Sequence, residues 1–229
     1  MPRKPRFFID RVPVHVVHRG HCREPVFFED QDYATYMHWL KAGCGRYGIV
    51  IHSYCLMTNH VHILLTPEKA ENVSCFMQYV GRHYVPYINY KYGRSGTLWE
   101  GRFKASLVDS TNYLLRVMRY IELNPVRAGM VLSPSEYRWS SFKHNTGQLI
   151  ISAIREHEIF VGLGSSLEQS KEWYLNSFKT VLSEEAIKSI TTAWLTGTPI
   201  GSGRFKEKVE KTLGKGVGLA RKGPPKKVV

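Results

Sequence analysis

The first 125 residues alternate between short β-branched runs and longer stretches with helical periodicity. The short runs predict four strands, over residues 12–18, 49–57, 60–66 and 103–108. The longer stretches predict three helices, over residues 30–46, from about 70 to Pro86, and from 109 to 124. Pro125 ends the third helix, because the residue before a proline is disfavoured in the α region.

The predicted order is therefore strand, helix, strand, strand, helix, strand, helix. Only Thr58 and Asn59 separate the second strand from the third, which favours a hairpin between them. A sheet joined in this way is mainly antiparallel, with its helices expected on one face. The fold class predicted is α+β, with a ferredoxin-like plan.

The remainder of the chain has a helical pattern. Helices are predicted over residues 135–142, 150–160, 167–181, 184–195 and 204–213. We divide the chain into a core over residues 1–132, a helical extension over 133–214 and a basic tail over 215–229, which is rich in Gly, Pro and Lys.

Composition narrows the class of partner. The 229 residues are 43% hydrophobic and carry a net charge of +13, which excludes a disordered chain and favours a polyanionic partner. The sequence contains neither an apolar run long enough to span a membrane nor a signal peptide, and its four cysteines form no C-x-x-C pair. We therefore expect a cytoplasmic protein with reduced thiols and no membrane partner.

The basic residues concentrate at both ends of the chain and beside the segments that carry the candidate chemistry. Such residues contact phosphates and give salt-dependent affinity with little sequence preference. The candidates for nucleic-acid contact are Arg3, Arg6, Arg19, Arg102, Lys104, Arg119, Arg127, Arg221 and Lys222.

His60 and His62 are the sharpest chemical feature. Residues two apart on a strand point to the same face, so both imidazoles can grip one metal ion. By itself such a pair is more typical of two surface histidines on an exposed sheet face, because an H-x-H spacing is common by chance. A second metal site from His15, His18 and His21 is disfavoured, since this spacing does not converge on a strand and loop.

Tyr120 and Asn124 lie one helical turn apart and share a face. An amide oxygen is a suitable ligand for Mg²⁺ or Mn²⁺, and a phenol can act as a nucleophile. Most of the 13 tyrosines must serve packing, and Tyr113, seven residues earlier, is the alternative nucleophile. Glu122 is expected to point away from Tyr120 into solvent. Four further tyrosines are open to either base stacking or core packing, namely Tyr84, Tyr87, Tyr90 and Tyr92.

Taken together, these features resemble the REP-associated tyrosine transposases within the HUH single-tyrosine, IS200-like superfamily. The resemblance covers about residues 6–142 and is strongest in four blocks. These are residues 57–65 (Met-Thr-Asn-His-Val-His-Ile-Leu-Leu), 98–104 (Leu-Trp-Glu-Gly-Arg-Phe-Lys), 119–129 (Arg-Tyr-Ile-Glu-Leu-Asn-Pro-Val-Arg-Ala-Gly) and 137–141 (Tyr-Arg-Trp-Ser-Ser). Thr58 departs from the proline expected there, outside the histidine pair.

The resemblance implies a role for each matching position. His60 and His62 match the family's metal-binding histidines, Asn124 matches its amide ligand, and Tyr120 matches its nucleophile. It implies a metal-dependent enzyme, with Mg²⁺ or Mn²⁺, that cleaves and rejoins single-stranded hairpin DNA of REP type. The intermediate would be a 5′-phosphotyrosine, formed with release of a 3′-OH.

The sequence also leads to expectations about the location, the oligomeric state and the alternative functions of the protein. We expect it to associate with the nucleoid and to act as a monomer in preference to a homodimer. The alternative function is a non-catalytic nucleic-acid-binding regulator on the same fold. A small zinc hydrolase is disfavoured, because no water-activating carboxylate stands at an obvious position.

Overall fold

The structure is a computed structural model that describes residues 6–218. Its first half follows the predicted order of strands and helices. The elements are β1 (Val14–Arg19), α1 (Asp30–Tyr47), β2 (Ile49–Met57), β3 (His60–Pro67), α2 (Asn72–Lys91), β4 (Lys104–Leu107) and α3 (Ser110–Glu122). Local signals set several of these limits: Glu29 and Asp32 form a capping box at the start of α1, and Gly48 ends it in the left-handed region.

The four strands form one antiparallel sheet in the order β2-β3-β1-β4. The two central strands are β1 and β3, and β2 and β3 form the expected hairpin. This is the strand order of a ferredoxin-like fold, so the predicted fold class is confirmed.

The two faces of the sheet carry different residues. Val16, Ile63 and Leu65 point to the first face, where they pack with α1 and α2 in a large apolar core. His15 and His62 are buried on the second face, together with Leu64, beneath α3. The expectation of helices on one face thus holds for α1 and α2 but not for α3. Because the last strand joins α3 directly, that helix is free to cover the opposite face.

After α3 the chain forms one short helix at the end of the core, and then two short and three longer helices in the extension. They are α4 (Asn124–Arg127), α5 (Phe142–Asn145), α6 (Glu158–Val161), α7 (Leu167–Ser177), α8 (Glu184–Thr196) and α9 (Gly203–Leu213). The last three were predicted. The helices predicted over residues 135–142 and 150–160 are wrong, since most of these residues are irregular.

The irregular residues instead cover an edge of the sheet. The Leu56 amide donates to the Trp139 carbonyl at 2.9 Å, and the Ser141 amide donates to the Tyr54 carbonyl at 3.0 Å. At the opposite edge, the Ile200 amide donates to the Leu107 carbonyl at 2.8 Å. These edge backbone groups are therefore satisfied within the chain, which disfavours pairing with a further strand at those positions.

Pro86 lies inside α2, which continues to Lys91. A proline was expected to end or kink this helix. Tyr84 and Ile88, on either side of the proline, are both fully buried, so core packing holds the helix together across the missing hydrogen bond. Within residues 6–218, no helix is long and apolar enough to cross a membrane.

Candidate active site

Strand β3 places both histidines of the predicted pair on the second face of the sheet. The ring centroids of His60 and His62 are 5.0 Å apart. His60 Nδ1 lies 2.7 Å from Asn59 Oδ1, an atom that only accepts hydrogen bonds. The His60 proton is therefore on Nδ1, and its Nε2 keeps a free lone pair.

His62 contacts a third histidine. Its Nδ1 lies 3.0 Å from Nε2 of His15, and both rings are buried. From the sequence, His15 is a metal-site candidate only together with His18 and His21. The structure separates those three, because His18 points to the other face, stacks on Trp99 and contacts the Gly101 carbonyl.

Burial keeps these imidazoles neutral. It lowers the pKa of His15 to about 3 and that of His60 to about 4, and it lowers the pKa of His62 well below its usual value. The neighbouring His60 and the Arg127 and Arg19 guanidinium groups lower the pKa of His62 further. Neutral imidazoles are the form that binds metals.

Tyr120 lies at the end of α3, beside the histidines. Its ring centroid is 5.8 Å from that of His62 and 5.9 Å from that of His15, with edge-on geometry. Tyr113 instead lines a separate cavity between α3, α8 and α9, which favours Tyr120 over Tyr113 as the nucleophile.

Asn124 follows Tyr120 by one turn. Its Nδ2 donates to the carbonyls of Tyr120 and Ile121, at 2.9 and 3.2 Å. These bonds fix the amide, and no described residue donates to its Oδ1. Among the described residues, no group of three His, Cys, Asp or Glu side chains is placed to hold a metal. An amide oxygen such as that of Asn124 is a further type of ligand for a hard cation.

Helix α8 of the extension covers the Tyr120 hydroxyl. Trp194 Nε1 donates to it at 3.3 Å, and Thr191 Oγ1 lies 3.2 Å from it. Tyr120 is only 3% exposed as a result. Sequence analysis missed Thr191 and Trp194, although their amphipathic helix was predicted, because a helical pattern does not say which surface the helix covers.

Three predicted basic residues surround this site. The Arg127 guanidinium carbon is 4.9 Å from the Tyr120 ring centroid. Arg19, opposite His60 in the sheet, and Lys104 approach the Trp194 ring at 5.9 and 5.8 Å. Positive charge is thus available on several sides of Tyr120.

Two more lie farther along the same surface. The Arg6 guanidinium lies over the Phe103 ring at 3.7 Å, and burial and the nearby Arg102 lower its pKa. Both arginines line a cavity of about 460 Å³ that reaches Trp194. Arg3, Arg221 and Lys222 lie outside the described residues.

Arg119 makes a different set of contacts from these basic residues. Its guanidinium donates to the Thr180 carbonyl and lies 5.5 Å from the Phe178 ring centroid. Both partners belong to the extension, so Arg119 contributes to the packing of the extension on the core, and the DNA contact predicted for Arg119 stays a prediction.

Glu122 is completely buried, contrary to the expectation that it faces solvent. Its Oε1 accepts hydrogen bonds from Ser53, Ser141 and Asn145, and its Oε2 accepts one from Tyr174. Burial raises the pKa of this carboxyl to about 7, against the effect of those donors. Glu122 therefore ties α3 to β2 and to the extension.

The four tyrosines predicted either to stack on bases or to pack in the core have different environments in the structure. Tyr84 is buried and donates to the Val26 carbonyl, while Tyr87 and Tyr92 donate to Asp32. Tyr90 is 93% exposed. Core packing therefore explains three of them.

Comparison with known proteins places this geometry in a family. A family model described as "Transposase IS200 like" matches residues 9–124, about half of the chain. The chain belongs to the IS200-like transposases. The match ends on Asn124 and includes His60, His62 and Tyr120, whereas Thr191 and Trp194 lie beyond it.

Two further comparisons concern REP-associated proteins. The chain is 26% identical over 113 residues to a Haemophilus influenzae protein named as a REP-associated tyrosine transposase, a match that covers 44% of this chain and 64% of the relative. It also resembles the solved structure of a REP-associated tyrosine transposase bound to a REP hairpin. That match has a TM-score of 0.55 and 16% identity, and covers 69% of this chain and 99% of the other, so it supports the fold.

Proposed function

We propose that this transposase cleaves and rejoins single-stranded hairpin DNA through a covalent bond to Tyr120. The observation that carries the proposal is the position of Tyr120, whose ring lies 5.8 Å from that of His62. The other two residues of the proposed site are His60, on the same strand as His62, and Asn124, one helical turn after Tyr120. A protein that only binds DNA needs none of these four residues in this arrangement.

The donor atoms fit a divalent cation. The Nε2 lone pair of His60 is available, the His62 ring is neutral and fixed, and the Asn124 oxygen is unused among described residues. Two imidazoles and an amide suit Mg²⁺ or Mn²⁺, with Mn²⁺ favoured by the nitrogen ligands. When bound, the cation would polarise the scissile phosphate and stabilise the charge that develops on it.

The tyrosine supplies the covalent step. Its hydroxyl oxygen gives up its proton and attacks the phosphorus, the bond from phosphorus to the 3′ oxygen breaks, and that oxygen takes up a proton and leaves as a 3′-OH. The 5′ phosphate stays on Tyr120 as a phosphodiester. A second 3′-OH can reverse the step, so rejoining needs no external energy source.

The chain's own residues prepare this step. Arg127, beside the Tyr120 ring, presents positive charge to a phosphate at the site. Because Trp194 and Thr191 hold the Tyr120 hydroxyl, those contacts must open for the oxygen to face phosphorus. Arg19 and Lys104 contact the DNA backbone on either side of Trp194.

The test is a covalent adduct between the protein and end-labelled hairpin DNA, with Mg²⁺ or Mn²⁺, resolved on a denaturing gel. REP-type hairpins are the first substrates, since the structurally similar relative is bound to one. Wild-type protein is expected to form the adduct and Tyr120→Phe to form none. Tight binding without an adduct under either cation would leave the non-catalytic regulator as the function.

A further inference from the structure

A third histidine, His15, and a serine lie directly behind the proposed metal ligands. In the sheet register, His15 is opposite Ser106 on β4, and it is diagonal to His62 on β3. Side chains in such positions lie within reach on the same face. All three residues are buried, so their polar groups must find partners inside the protein.

The contact between the two imidazoles needs one proton. His15 Nε2 and His62 Nδ1 are 3.0 Å apart, a hydrogen-bond distance that requires one nitrogen to donate and the other to accept. If His15 donates, the only proton of a neutral His62 is on Nε2, which then cannot bind a cation. If His62 donates, its Nε2 lone pair is free.

His15 Nδ1 and Ser106 Oγ are the groups that remain. Neither has a hydrogen-bonding partner among the described residues, although each is buried and they stand opposite each other in adjacent strands. A buried polar group left unpaired is destabilising. No hydrogen bond joins the two atoms in the structure. With its proton on Nδ1, His15 becomes a donor to the serine oxygen once the Ser106 side chain rotates towards it, and Nε2 is left as an acceptor.

We propose that Ser106, His15 and His62 form a relay of hydrogen bonds that holds His62 with its Nε2 lone pair toward the cation. In this relay His62 Nδ1–H donates to His15 Nε2, and His15 Nδ1–H donates to Ser106 Oγ. His15 is thus a positioning residue, for which the sequence interpretation had no role. The proposal rests on the proposed function, because it concerns the metal site of that reaction.

Cation affinity tests the relay first. Free Mn²⁺ is measured by electron paramagnetic resonance while wild-type protein, His15→Phe, His15→Gln and Ser106→Ala are titrated. His15→Phe is expected to weaken binding by about 10- to 100-fold, the usual effect of removing a partner behind a metal ligand. His15→Gln retains an acceptor for His62 and should recover part of the loss, and Ser106→Ala should cost less than His15→Phe.

The matched control is His18→Phe, the same change on the same strand. His18 points to the opposite face, so its replacement should leave Mn²⁺ affinity unchanged. Thermal unfolding identifies any variant that has lost its fold. His15→Phe that is folded and binds Mn²⁺ as wild type does would overturn the relay while leaving the proposed function standing. Failure of wild type to bind Mn²⁺ would overturn both the relay and the metal-dependent mechanism.

Nitrogen NMR of histidine-labelled protein with Mg²⁺ provides a readout that packing alone does not change. The relay predicts a proton on Nδ1 of His62 and on Nδ1 of His15. The His62 signal is assigned by its disappearance in His62→Gln. A proton on Nε2 of His62 in the Mg²⁺-bound protein would contradict the relay.

Discussion

The two faces of the sheet meet different demands, although neighbouring residues of the same strands form them. The face beneath α1 and α2 buries an apolar core that includes Val61, and its best-connected polar group is Asp32. The face beneath α3 and α8 buries His15, His62, Tyr120 and Glu122, with His60 half-buried beside them. Replacements on the first face should therefore change stability, and those on the second should change chemistry as well.

Two neighbouring residues of strand β3 give the largest expected difference between the effects of replacements on the two faces. His62→Gln should reduce adduct formation by about a hundredfold or more, because the cation loses a ligand at the point of reaction. Val61→Ala, next to it in sequence, should cost about 2 kcal/mol of unfolding free energy through the cavity it leaves. Adduct yield and urea unfolding are measured on both. Equal losses of adduct formation in the two folded variants would contradict the claim that only the second face of the sheet takes part in the chemistry.

The Glu122 network gives the largest expected loss of stability. Glu122→Ala leaves Ser53, Ser141 and Tyr174 without their buried acceptor, which should cost about 3–5 kcal/mol. Glu122→Gln retains an acceptor and should cost less. Chemical unfolding checks both, and limited proteolysis should cut the extension of Glu122→Ala first. An unfolding free energy unchanged in Glu122→Ala would show that the network does not tie the extension to the core.

Asp32 is the corresponding test on the apolar face. Burial acts to raise the pKa of its carboxyl, but hydrogen bonds from Lys91, the Phe28 amide and two tyrosines outweigh it and leave the pKa below its usual value. A depressed pKa gives stability that is present above the unfolded value near 4 and is lost as pH falls through the folded value. Asp32→Asn should cost about 1–3 kcal/mol at pH 7.

The stability difference between wild type and Asp32→Asn is expected to depend on pH. Wild type should lose stability relative to Asp32→Asn as the pH falls below about 4, so that the difference between them narrows. Denaturant unfolding at a series of pH values measures this. A constant difference down to pH 2 would contradict the account of Asp32.

Two arginines near Tyr120 give the smallest expected effects. Arg127→Gln should lower DNA affinity by about tenfold and reduce the slope of log affinity against log salt by about one, because one phosphate contact is lost. Arg119→Gln should lower stability while leaving the salt slope unchanged, since Arg119 bonds to the extension. Fluorescence anisotropy at several salt concentrations separates the two. A reduced salt slope in Arg119→Gln together with an unchanged slope in Arg127→Gln would contradict both assignments.

Much of the core was predictable because local signals and tertiary packing agree there. The hairpin of β2 and β3, the glycine that ends α1 and the proline after α3 each mark a boundary by their own chemistry. The alternation in residues 60–66 also placed both histidines on one face. These features depend on residues close in sequence.

The rest depended on contacts between distant residues. Residues 137–141 form an edge pairing with β2 in place of the predicted helix, since the open backbone of that strand satisfies their polar groups. Glu122 appeared solvent-facing because its four donors come from residues as far away as Tyr174. Trp194 was missed for the same reason, as no local pattern links it to Tyr120, 74 residues earlier.

The most direct test of the central claim is the polarity of the covalent adduct. One hairpin substrate is labelled at its 5′ end and another at its 3′ end, and each is incubated with wild-type protein and Mn²⁺. The account predicts that the adduct retains the 3′ label, that peptide mapping places it on Tyr120, and that the 5′-labelled fragment leaves with a free 3′-OH. An adduct that retains the 5′ label, or one on another residue, would contradict it.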